Sequence, residues 1–122
     1  MTLLEAVMVY KKDRGCYKEL QALIDKELMP GILQLFWGNR YQPDTTLCSI
    51  SQLIASLVAK ELEWGVGSID RLHCLDEEDL RQELYLVIYR TLDTWKPEME
   101  FDSYFIPVLV GALVDWYSMQ RQ

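Results

Sequence analysis

Histidine is almost missing from this chain: His73 is the only one in 122 residues. No second imidazole can join it as a metal ligand, and although it neighbours Cys74 it reads as an ordinary side chain. Cysteine is also sparse. Cys16, Cys48 and Cys74 lie far apart and form no CxxC pair, so neither a disulfide framework nor a zinc site is expected, and three small buried or half-buried thiols are. No apolar run approaches the roughly 20 residues that a membrane span needs. The opening TLLEAVMVYKKD places its basic pair after the apolar part, the reverse of a secretory signal. A cytoplasmic protein without a membrane segment is expected. Catalytic signatures are missing too: there is no Gly-rich phosphate loop, HExxH or GxSxG. Glu77, Glu78 and Asp79 are consecutive, so on a helix they fan outward rather than converge. No enzyme activity, catalytic residue, metal site or cofactor is expected.

What the chain does have is an ordinary globular balance, half hydrophobic and a quarter charged, enough for one domain with a real core. Its net charge of −7 is unevenly placed. Residues 1–47 hold six basic and six acidic residues and are neutral, whereas residues 48–122 hold six basic and thirteen acidic residues. An acidic half does not suit phosphate-driven nucleic-acid binding by this chain alone, which needs clustered Lys and Arg. It suits a basic protein partner, or simply solubility.

The spacing of apolar residues predicts helices throughout. Thr2 with Glu5 forms a capping box for a helix to about Lys12, with Leu3, Leu4, Val7, Met8 and Val9 as its apolar residues. A second helix runs from about Tyr17 to Trp37, with Leu20, Leu23, Ile24, Ile32, Leu33 and Phe36 inward and, at Pro30–Gly31, a kink or a break into two helices in series. Residues 38–46 read as a loop. Ser49 and Gln52 offer a capping pair to a third helix carrying Ile50, Leu53, Ile54, Leu57, Val58 and Leu62, which ends at Gly65. Residues 66–75 connect.

The clearest helix is 76–95, DEEDLRQELYLVIYRTLDTW, with Asp76 as N-cap and acidic residues on the positive end of the helix dipole. Leu80, Leu84, Val87, Ile88, Thr91, Leu92 and Trp95 form its apolar stripe. After the linker KPEMEF, a fifth helix begins at Asp102 or Ser103, with Tyr104, Phe105, Val108, Leu109, Ala112, Leu113, Trp116 and Tyr117 inward and Pro107 delaying its regular start. The class is all-α, a compact five-helix bundle (four to six as its breaks are counted), and residues 1–122 form a single domain.

Residues 76–105, DEEDLRQELYLVIYRTLDTWKPEMEFDSYF, resemble the second conserved region of bacterial RNA polymerase sigma factors. The match lies in the order Asp79, Leu80, Gln82, Glu83, then Trp95, Pro97, Phe101 and Tyr104. The opening LLEAVMVYKKDRGCYKELQALIDKELMPGIL is similar to the first helices of that domain in the small, extracytoplasmic-type members, and LMPGI (28–32) falls where those proteins often carry a proline. The resemblance implies that the polar face of helix 76–95 docks on the clamp helices of the largest subunit of core RNA polymerase, with Asp79, Leu80, Gln82, Glu83, Tyr85 and Tyr89 as the contact set. It also implies promoter contact, weak for this chain alone, through Lys96, Phe101, Tyr104, Phe105 and Arg121, the aromatics stacking on flipped bases. A partner subunit or an anti-sigma protein belongs to the same picture.

Three departures from the family pattern stand out. The helix 103–121 has Arg121 as its only basic residue, Pro107 and Val108 stand where housekeeping members place a Trp pair, and residues 38–75 look like an insertion. No helix-turn-helix segment occurs within these residues. The polymerase-binding half of the signature is thus better preserved than the DNA-binding half. The alternative function is an acidic helical adaptor that binds some other basic protein and has no role in transcription.

Overall fold

The structure, a computed structural model, describes residues 2–37, 49–63 and 76–120. These form five helices and no strand: α1 (Leu3–Lys12), α2 (18–37), α3 (Ser49–Glu61), α4 (Glu77–Thr94) and α5 (Phe101–Gln120). The all-α, five-helix expectation holds. No helix among the described residues is long and apolar enough to cross a membrane. The expected loop 38–46, Gly65, the connector 66–75, His73, Cys48 and Cys74 lie outside the described residues.

The two cleanest sequence signals form as read. The Thr2 side chain accepts from the Glu5 N–H and the Glu5 carboxylate accepts from the Thr2 N–H, a complete capping box at the head of α1. The Thr2 hydroxyl also donates to the Glu5 carboxylate at 3.0 Å, and this bond, followed by the one from the Thr2 N–H, holds the carboxyl below its usual range. At the head of α4, Asp76 Oδ1 accepts from the Asp79 N–H at 2.8 Å. The expected stripe of α4 is buried in full, from Leu80 through Leu92 to Trp95. Thr91 is buried without penalty because its hydroxyl donates to the Val87 carbonyl at 3.0 Å.

α2 is the central element and touches α1, α3 and α4, while α5 packs across α3 and α4. The kink expected at Pro30–Gly31 takes a specific form. Lys18–Leu23 is α-helical, Ile24–Leu28 widens into a π-helical turn, and Met29–Trp37 is α-helical again. Pro30 has no N–H and its ring would collide with the carbonyl one turn back. The wider turn accommodates that collision, and the Met29 N–H reaches back five residues to the Ile24 carbonyl.

Two aromatic clusters pin the ends of α5. Trp95 meets Phe101 edge-on at 5.2 Å between ring centroids, and Phe101 stacks on Phe105 at 4.9 Å. At the other end Phe36 meets Trp116 edge-on at 5.2 Å and stacks on Tyr117 at 5.7 Å. Each such buried ring contributes about 1.5–3 kcal/mol by burial alone.

Several periodic positions face the other way. On α1 the buried residues are Leu3, Ala6 and Val7, whereas Leu4, Met8 and Val9 are exposed. Leu53 and Val108 are exposed as well, and Leu23, Leu57, Tyr104 and Ala112 are only half-buried. α3 stops at Glu61, short of the expected glycine, because Glu63 takes the left-handed conformation (φ 58°) and its N–H closes on the Lys60 carbonyl. α5 starts earlier than expected, at Phe101, since Glu100 caps it: its carboxylate accepts from the Ser103 N–H at 2.6 Å. Pro107 therefore sits past the first turn, inside the helix, without ending it. Cys16 is exposed, not half-buried as read.

Candidate functional site

Because the buried stripe fixes how α4 is rotated, its remaining residues fall into three sectors. The outermost carries Asp79, Gln82, Leu86 and Asp93, all exposed. Leu86 is 52% exposed in the middle of this polar face, one turn past Gln82 and two past Asp79. A leucine off the apolar stripe is a signal that the sequence itself carries.

The second sector turns toward α1 and α2. Tyr85 donates its hydroxyl proton to Asp25 Oδ1 on α2. Partial burial, followed by this carboxylate, pushes the phenol up to about 12. Tyr89 lies against Tyr10, with centroids 5.7 Å apart, and burial followed by Tyr10 raises it as well. Arg14 stacks over Tyr10 at 4.7 Å, and its guanidinium pairs with Asp93. Tyr10, Arg14, Tyr17, Gln21 and Tyr89 line a shallow pocket of about 280 Å³.

The third sector turns toward α5. Glu83 Oε2 accepts from the Trp116 indole N–H at 3.3 Å. Beyond it an open groove of about 450 Å³ runs between α4 and α5, with Val87, Val108, Ala112 and Trp116 as apolar lining and Arg90 and Asp115 among its polar groups.

The expected polymerase-contact set is therefore divided. Asp79 and Gln82 share the open face. Glu83 leans to α5, while Tyr85 and Tyr89 lean to α2 and α1. Leu80 is fully buried and is a core residue, because it is the first member of the stripe that holds α4 to the bundle.

The expected DNA-contact set does not converge either. Phe101 is 5% exposed and Phe105 is not exposed at all. Both rings are used in the cluster with Trp95, so neither can stack on a base. Tyr104 is half-buried and its hydroxyl bonds to Thr94 Oγ1 at 2.8 Å. Lys96 is exposed on the turn after α4. Arg121 lies outside the described residues.

A basic corner does exist, at the end of α1, but it is turned inward. The Lys11 ammonium donates to the carbonyls of Asp93 (3.3 Å) and Trp95 (2.5 Å). α4 has no basic residue in its own last turn, so α1 supplies the cation that its negative end favours.

Among the described residues no group of three or more His, Cys, Asp and Glu side chains could hold a metal ion. No protein-family model, no curated protein and no solved structure matches this chain.

Proposed function

We propose that this chain is a sigma-like transcription factor or regulator that binds core RNA polymerase through the open face of α4. The observation that carries the reading is the joint exposure of Asp79 and Gln82 on one capped, well-anchored helix. These two positions belong to the order Asp79, Leu80, Gln82, Glu83 through which the chain resembles the sigma second region. A carboxylate and an amide held rigidly in this way form charge-assisted hydrogen bonds with Arg or Lys of a coiled-coil partner. Leu86 adds an exposed apolar side chain between polar neighbours, surface that a docked partner would remove from water.

The fold narrows the proposal on the DNA side. With Phe101 and Phe105 in the core, only Lys96 and Tyr104 among the described candidates reach solvent, so promoter contact by this chain alone is feeble. Association with duplex DNA is expected to be weak and to vanish as salt is raised.

The test is capture of purified core RNA polymerase by the folded chain, compared with the Asp79→Arg/Gln82→Ala variant. Binding that is lost in the variant supports the reading. No binding by the parent chain, or binding that survives both substitutions, overturns it. In that event the chain is an acidic helical adaptor for another basic protein, the reading that the unbasic surface of α5 favours.

A further inference from the structure

The groove between α4 and α5 has three properties that point to one kind of occupant. Its lining is apolar, from Val87, Val108, Ala112 and the flank of Trp116. Its rim carries Met119, 68% exposed, a flexible side chain sized to fill such a groove. The groove is also lined by charges of both signs, Arg90 with the carboxylates of Asp115 and Glu83; Glu83 accepts from the Trp116 indole, and neither Arg90 nor Asp115 forms an ion pair with another described residue.

A surface with knob and hole together, and with both signs of charge, is complementary to itself under a two-fold rotation. In an isologous contact residue i meets residue j, and j meets i. On α5 the spacing fits an antiparallel crossing centred between Ala112 and Asp115, in which Val108 faces Met119 of the other copy.

We propose that the α4–α5 groove is a self-association surface. A second copy of this chain seats Met119 in the groove, and Arg90 of each copy pairs with Asp115 of the other. The contact covers Arg90 and half-buried Glu83 at the edge of the open α4 face but leaves Asp79 and Gln82 uncovered. It stands whether or not the chain binds polymerase.

Sedimentation of the purified chain over a wide concentration range tests it, with helicity of every variant checked by circular dichroism. The parent chain is expected to pass from monomer to dimer as concentration rises. Arg90→Asp and Asp115→Arg, both at exposed positions, are each expected to weaken the dimer at least about tenfold, the effect of placing like charges opposite each other. An equimolar mixture of these two variants restores both cross-pairs and is expected to recover the dimer. Met119→Asp is expected to abolish it. A monomer at every concentration overturns the proposal, and that is also the result if the groove serves a helix of another protein. A dimer indifferent to Met119→Asp, or a mixture no tighter than its components, overturns it as well.

Discussion

The hydroxyl of Ser51 on α3 accepts from the Gly31 N–H at 2.8 Å and donates to the Leu28 carbonyl at 3.2 Å. A side chain of one helix thus completes the hydrogen bonding of another where Pro30 has disturbed it. Ser51 is fully buried, so no water substitutes for it. Ser51→Ala leaves a buried N–H unsatisfied and is expected to cost about 1–3 kcal/mol, measured by chemical denaturation.

Gly31 is the other half of that relationship. A Cβ there would stand 2.0 Å from Ser51 Oγ and 2.8 Å from the Ser51 carbonyl oxygen. Gly31→Ala must push α3 away from α2 and is expected to destabilise the protein by roughly 1–3 kcal/mol or more. Because Ser51→Ala removes the nearest clashing atom, the double variant should lose less than the two single losses added together. Strict additivity in a double-mutant cycle contradicts the shared contact.

Tyr85 supplies a pH prediction. Its folded pKa, about 12, lies above the ordinary value of 10.0. The folded chain therefore holds the phenolic proton more tightly than the unfolded chain. The stability this confers is complete below pH 10 and is lost as pH rises toward 12. A spectrophotometric titration should find a late-ionising tyrosine that disappears in Tyr85→Phe. Asp25→Asn should move it earlier. A Tyr85 that ionises with the exposed tyrosines contradicts the contact with Asp25.

Two cations, Lys11 of α1 and Arg14 of the turn after it, reach the end of α4 in different ways. Lys11 satisfies backbone carbonyls in a partly buried setting, and Lys11→Met is expected to cost about 0.3–1 kcal/mol, less at high salt. Arg14 pairs with Asp93 while both side chains stay about half exposed, at 57% and 47%. Such a pair contributes little, and Arg14→Ala should leave the thermal midpoint unchanged within error.

On the open face of α4, Leu86→Ala is expected to weaken polymerase capture about tenfold, the size of a loss of about 1.4 kcal/mol of apolar burial, with no change in the unfolding midpoint. Phe101→Ala should do the reverse of what a base-stacking residue would do. It is expected to cost about 3–5 kcal/mol of stability, whereas Lys96→Ala leaves stability intact. A stable Phe101→Ala protein contradicts the packing of that ring against Trp95.

What was legible in the sequence was whatever depends on neighbours along the chain. The Thr2–Glu5 box, the Asp76 cap and the stripe from Leu80 to Trp95 need only helical spacing and a cap, and they form as read. The π turn before Pro30 was not legible in that form, because its repair comes from Ser51 on another helix. Phe105 reads both as an inward residue of its helix and as a base-stacking candidate, and Phe101 suits the core as well as a base, for the same kind of reason: a ring that follows a turn can face inward or outward, and only the position of Trp95 decides. Leu4, Met8 and Val108 show the converse, since helical periodicity marks a face but not whether anything packs on it. For the site, the exposed pair Asp79 and Gln82 came from their place off the stripe. The groove beside them needed the relative placement of α4 and α5.

The Lys11 bridge to Trp95 spans 84 positions of sequence. During synthesis from the N-terminus, α1 leaves the ribosome first, yet its clamp has nothing to grip until the turn after α4 has also emerged. Helices α1 to α3 must wait in that interval with apolar surface uncovered, because the stripe of α4 and the rings of α5 complete the core. A chain shortened before Trp95 would lose α5 and one of the two carbonyls that hold the Lys11 ammonium.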